Sequence, residues 1–290
     1  MSGLGTDWGR MSCLSNRAAF GQWPDIGGLL TMDEDHSGES MGIGAKGPSS
    51  AGTAALQLVR DYASELRNAL ASFGGRSSDD MTEYFAYDVI KRLVSWIEGY
   101  VALLQVGNRE TAQLCVRPMF EAMFKVRAVQ TDPAVFFRIC YKEYRDGISY
   151  IDGFDRETRD ADLKAWAHAW DDFKCRYGKR HPRRALEEKK ITTEQLAEMA
   201  GLTELYEGSY RPFSQITHAS YMAVSGGFDD LTENLHLAVC RCALECAKAL
   251  GELGASNPAF GELMRRHEKA AALCSGKQAA NNLAVPLKRA

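Results

Sequence analysis

Apolar residues recur at three- and four-residue steps along most of this chain, starting near residue 53. Leu56, Val59, Ala63, Leu66 and Leu70 form the first stripe, and Gly74-Gly75 ends it. That spacing predicts an amphipathic helix. Asp79-Asp80 caps a second expected helix, over 81–106. Gly107 breaks the chain, and Asn108 can cap a third, over 109–131. Asp132-Pro133 opens a fourth, with proline near the first turn, where it is tolerated. A fifth, over 155–177, carries Trp166, Trp170 and Phe173 on one side. A short helix runs from Thr192 or Thr193 to Gly201, and another covers 211–225 and stops at Gly226-Gly227. Two more are expected over 229–252 and 257–274. No apolar/polar alternation bounded by hairpin turns is present. The pattern therefore predicts an all-α, antiparallel multi-helix bundle, with residues 51–275 as one helical domain and 276–290 as a frayed tail.

Residues 1–50 break this pattern. Ten glycines and seven serines fall there without a sustained hydrophobic period. Such a segment buries too little apolar area to offset its ordering entropy, so it is expected to be mostly disordered. Met11, Met32 and Met41 lie within it, so translation could begin later than Met1.

Composition narrows the class. Hydrophobic residues at 45% and charged residues at 25% are ordinary for a globular chain, and a net charge of −3 excludes a chain-wide basic field of the kind that coats nucleic acid. No apolar run is long enough to span a membrane, and no signal peptide is visible, which predicts a cytoplasmic protein without a membrane partner. The eight cysteines include no CxxC pair. Cys242 and Cys246 share a helical face, but buried free thiols in a reducing compartment are the expected state. Glu233-x-x-His236 has the spacing of a carboxylate-bridged di-iron site but lacks the second pair such a site needs. No phosphate loop, dinucleotide fingerprint or nucleophile elbow occurs, so neither a metal nor a cofactor is expected.

Two constellations carry candidate chemistry. Gln113, Arg117, Glu121 and Lys125 recur every four residues on the third helix, which is otherwise apolar through Leu114, Val116, Met119, Phe120, Met123, Phe124 and Val126. They share one stripe, where Arg117 and Glu121 can pair. Pro118 predicts a kink there and frees the carbonyl of Leu114. The stripe either faces water or points inward to orient another polar group.

The second constellation lies in Tyr210-Arg-Pro-Phe-Ser-Gln-Ile-Thr-His218. A helix starting near Pro212 aligns Arg211, Ser214 and His218 on one side, with Phe213, Ile216, Ala223 and Val224 opposite. Arginine can clamp a phosphate through two hydrogen bonds, and histidine can take a proton from a ribose 2′-hydroxyl near neutral pH. Metal-independent RNA cleavage would then use His218, Arg211 and Ser214, with Arg117, Glu121 and Tyr210 as the supporting polar network. The alternative is a non-catalytic interaction or ligand-binding module, in which the same side chains form a buried brace. Lys174, Arg176, Lys179, Arg180, Arg183 and Arg184 gather around His181-Pro182, after the tryptophan helix. They are read as a loop, in which Lys179, Arg180, Arg183 and Arg184 either contact RNA phosphates or form a solvated connection balanced by Glu187-Glu188. RNA and a second copy of the chain are the partners that these readings name.

Leu196-Ala-Glu-Met-Ala-Gly-Leu202, then Tyr206, then Tyr210-x3-Ser214-x3-His218-Ala-Ser220, resembles a bacterial domain family of unknown function, number 5677. Arg117-x3-Glu121 followed by Asp132-Pro133 resembles that family's other recurrent element. The resemblance covers about residues 85–250 and implies a helical fold without an assigned activity. Arg211-x6-His218 also resembles, more weakly, the HEPN ribonucleases of toxin and phage-defence systems, whose Arg and His are often paired across a dimer. Pro212 stands where that family commonly has a polar residue.

Overall fold

The computed structural model describes residues 50–73, 81–151, 156–182, 186–217, 232–253 and 259–283. Every regular element among them is helical. In chain order these are α1 (Ser50–Phe73), α2 (Met81–Gln105), α3 (Arg109–Leu114), α4 (Val116–Thr131), α5 (Val135–Ile151) and α6 (Arg156–Arg180). They are followed by α7 (Thr193–Met199), α8 (Thr203–Leu205), a π-helical turn (Tyr206–Tyr210), α9 (Arg211–Thr217), α10 (Thr232–Glu252) and α11 (Ala259–Leu283). The expected disorder of the N-terminal tail lies outside the described residues.

Contacts divide the chain into two compact units. One contains Phe136–Ile191, and the other combines Gly47–Val135 with Thr192–Ala290. In the first unit aromatic rings fill the space between α5 and α6. Phe137 and Phe173 stack with centroids 5.9 Å apart, as do Tyr144 and Trp170 at 4.8 Å. The Trp166 indole donates to the Tyr144 carbonyl at 2.9 Å. Gly147 is required there, because an added Cβ would lie 2.6 Å from Trp166. After α6 the chain leaves helical structure, and Lys190 pairs with Asp146 of α5 at 3.1 Å.

In the second unit α10 packs on α1, α4, α11 and α2, while α4 also packs on α2 and α7. This explains the apolar circumference of α4: Val116, Met119, Phe120, Met123, Phe124 and Val126 are fully enclosed. Two polar contacts set the packing inside this core. Tyr100 of α2 and His236 of α10 share a 2.6 Å hydrogen bond. Glu245 of α10 is buried and binds Arg241 and Lys248 at 2.9 Å each, with Arg127 of α4 at 3.6 Å. Burying a carboxylate is costly unless such partners offset its lost hydration.

Three boundaries depart from expectation. The third helix is interrupted at Cys115, so Gln113 belongs to α3 while Arg117, Glu121 and Lys125 belong to α4. The break precedes Pro118 and leaves it in the first turn of α4, where its missing N–H costs no helical hydrogen bond. Leu114, counted among the apolar surround, is 46% exposed at this break. α6 runs on to Arg180, so Lys174, Arg176, Lys179 and Arg180 are helical rather than in a loop. Basic residues suit the negative end of the helix dipole, which explains why the charge run extends the helix. Finally, α11 continues to Leu283, beyond its expected end at 274.

Candidate functional site

The site grows from α4. Successive turns place Arg117 and Glu121 one above the other, and Arg117 Nε donates to Glu121 Oε1 at 3.0 Å. The adjacent stripe of α4 carries Phe120 and Phe124, and the segment 206–213 seats on those rings. Phe213 stacks on Phe120 with centroids 6.0 Å apart, and Tyr210 meets both rings edge-on at 6.2 and 5.8 Å. Tyr206 stacks on Tyr210 at 5.1 Å and touches Phe124.

Local geometry makes this seating possible. A capping box starts α7: Gln195 N–H donates to Thr192 Oγ1, and Thr192 N–H donates to Gln195 Oε1, each at 3.1 Å. Gly201 then takes a positive φ of 67° and ends that helix. The chain re-enters helical structure at Thr203, well before the expected start at Pro212. Residues 206–210 form a π-helical turn in which Arg211 N–H donates to the Tyr206 carbonyl. Such turns add one residue to the helical ladder and recur at functional sites. Here the turn keeps Tyr206 and Tyr210 stacked above Phe124.

The buried Tyr210 hydroxyl donates to Glu121 Oε1 at 2.9 Å. One carboxylate oxygen therefore accepts from both Arg117 and Tyr210. The hydroxyl also has a hydrogen-bonding contact with the Thr193 side chain, which ties in α7. Burial first, and then the Glu121 carboxylate, push the Tyr210 phenol above its ordinary range. For Arg117 burial is the largest single influence and acts to lower the pKa, but the hydrogen bond to Glu121 and the contacts with Tyr210 and the Glu121 charge together outweigh it, so the guanidinium is held more firmly charged.

Arg211 lies elsewhere. Its Nη1 donates to Glu207 Oε2 at 2.7 Å, one turn back, and its side chain is 60% exposed. Glu207 was missed in the sequence reading, although Glu207-x3-Arg211 has the spacing of a helical ion pair. Ser214 is half-buried beside the enclosed Phe213. His218, Ala223 and Val224 lie outside the described residues. Thus Arg117, Glu121 and Tyr210 come together, while Arg211 sits apart on the exposed side of the same segment. In the other unit Lys179 and Arg180 are exposed near the end of α6; Arg183 and Arg184 lie outside the described residues. Lys174 is already paired with Asp171 and Glu188 at 3.1 Å each.

Among the described residues no group of three His, Cys, Asp or Glu side chains is placed to hold a metal ion. No described helix is long and apolar enough to cross a membrane. A family model described as "Family of unknown function (DUF5677)" matches residues 89–234, a stretch containing Arg117, Glu121, Tyr210, Arg211 and Ser214. No curated protein matches the chain, and no solved structure does.

Proposed function

The chain belongs to this family of unknown function, and from its own residues we propose that it is a non-catalytic helical interaction module. Arg117, Glu121 and Tyr210 act as a brace that seats residues 206–214 on α4. The exposed edge of that segment, with Glu207 and Arg211, is then held rigid for a partner. The observation that supports this reading is the double acceptance at Glu121 Oε1, from Arg117 at 3.0 Å and Tyr210 at 2.9 Å. That oxygen is occupied by partners of its own fold. Rings packed on three sides of Tyr210 leave the phenol as a packing element rather than a reactive group.

One observation favours a second reading, a metal-independent ribonuclease of defence type that uses His218, Arg211 and Ser214. The Arg211–Glu207 pair is exposed, so it is weakly held and the guanidinium can exchange a carboxylate for a phosphate. The two readings separate in one experiment. Wild type, Glu121→Gln, Arg211→Ala and His218→Ala are first checked for folding by circular dichroism, then incubated with cellular RNA in EDTA. The module reading expects no cleavage by any of them and a lowered melting temperature for Glu121→Gln. Cleavage by wild type that both Arg211→Ala and His218→Ala abolish while folded would overturn it in favour of the ribonuclease.

A further inference from the structure

Away from the α4 site, α11 is joined to α1 and α10 by an unusual contact. His267 of α11 is 9% exposed, and its ring meets Tyr62 of α1 edge-on, with centroids 6.4 Å apart. Tyr62 is fully enclosed. Neither His267 Nδ1 nor the Tyr62 hydroxyl has a hydrogen-bond partner among the described residues, although both atoms are buried. Buried polar atoms are almost always paired, so this contact stands out as a weak point in the interface.

The charges around it decide how the ring responds to acid. From α10, Arg241 and Lys248 face His267, and both also bind the buried Glu245. From α11 itself, Glu268 lies nearby, and Arg266 pairs with Asp61 of α1 at 2.6 Å. Cys240 of α10 adjoins Tyr62, with its thiol turned to the Ala55 carbonyl at 3.9 Å. A proton on His267 would thus add a buried cation beside two cations, with Glu268 as its favourable neighbour.

We propose that α11 is an acid-released helix, docked on α1 and α10 while the His267 imidazole is neutral and freed when that ring takes a proton. Burial first, then Arg241, hold the imidazole pKa below its ordinary 6.5 in the docked state. The released helix regains the ordinary value, so it binds more protons than the docked one. Docking is therefore at full strength above pH 6.5 and weakens as pH falls below it. Among the described residues Leu263 and His267 are the buried α11 side chains, so the ring sits at the centre of the described contact. Single helices can open in local unfolding, ahead of the core.

Amide hydrogen exchange resolved by peptide tests this on the full chain. Rates at pH 7.5 and 5.5, corrected for intrinsic exchange, give opening constants for α11 and, as an internal reference, for α4. The expected result is a rise of about three- to tenfold in the α11 constant at pH 5.5, with less than twofold change in α4. In His267→Gln, which keeps a polar side chain without a titrating charge, the α11 constant should change less than twofold. A wild-type change under twofold, an equal rise in His267→Gln, or opening of α4 together with α11 would each overturn the proposal. Should the variant fail to fold, the wild-type ring decides: its NMR titration is expected below pH 6.5, and a midpoint at or above that value refutes the mechanism.

Discussion

Replacing Tyr210 with phenylalanine removes one oxygen from the α4 site and leaves the packed ring in place. The lost bond is a 2.9 Å donation to a carboxylate, made by a residue that is 5% exposed. Hydrogen bonds to charged groups contribute about 1.5–3 kcal/mol. Two features reduce that figure here. Arg117 still holds Glu121 at 3.0 Å, and the Glu121 side chain is 35% exposed, so water can take the vacated position. The expected loss is about 1–1.5 kcal/mol, or a fall in melting temperature of about 2–5 °C. Urea titrations of wild type, Tyr210→Phe, Glu121→Ala and the double variant complete a cycle, whose coupling should be about 1 kcal/mol. pH supplies an independent check. The phenol pKa is raised in the folded chain, so the unfolded chain loses its proton first. Stability from Tyr210 is fully present below pH 10, the ordinary phenol value, and is lost as pH rises above it. Tyr62, Tyr100 and Tyr206 shift in the same direction, so the quantity to compare is the difference between wild type and Tyr210→Phe, which should shrink above pH 10. A Tyr210→Phe variant within about 0.3 kcal/mol of wild type at pH 7 would refute the brace, because a bond worth about 1 kcal/mol would be missing.

Two further outcomes test the core. Gly147→Ala should destabilise the chain by about 1–3 kcal/mol and shift its tryptophan emission, since the new Cβ would lie 2.6 Å from an indole already fixed by its bond to Tyr144; a variant as stable as wild type would show that α5 and α6 can separate freely. Cys240, Cys242 and Cys246 are buried with thiols pushed well up by desolvation, whereas Cys175 is exposed. Alkylation of the native protein followed by peptide mass spectrometry should mark Cys175 long before the other three, and equal rates would contradict the burial.

What the sequence made legible follows the range of the interaction. The Arg117–Glu121 pair rests on helical spacing, and the Thr192 cap on four consecutive residues, so both could be read locally. Tyr210 was named in the same polar network, but its bond to Glu121 could not be read from spacing. Its partner Glu121 is 89 residues away, and no local pattern links a tyrosine to a carboxylate at that distance. The π-helical turn was hidden for a related reason. Residues 202–210 lie between the two expected helices, yet stacking of Tyr206 on Tyr210 and packing of both rings against Phe124 favour a helical backbone through Gly208. Here tertiary packing outweighed propensity. At Cys115 the sequence signal was present but assigned to the wrong place. Pro118 did mark an interruption, but a proline is accommodated best when the break comes before it, and the chain adopts that arrangement.

The two polar contacts at the centre of these proposals have opposite designs. At α4 a half-buried carboxylate collects a guanidinium and a phenol, so every charge it brings inside is matched. At α11 an imidazole is buried against a hydroxyl that has no partner among the described residues, and it faces Arg241 and Lys248 with Glu268 nearby. The first arrangement resists changes of pH across the neutral range, because neither a well-paired guanidinium nor a raised phenol titrates there. The second would respond as pH falls below 6.5. They also sit in different parts of the sequence. The family match at 89–234 contains the α4 brace, whereas His267 lies beyond it. Rigidity at the α4 site and acid sensitivity at α11 are therefore separable: loss of the brace in Tyr210→Phe should leave the pH response of α11 intact, and His267→Gln should leave the Tyr210–Glu121 coupling unchanged.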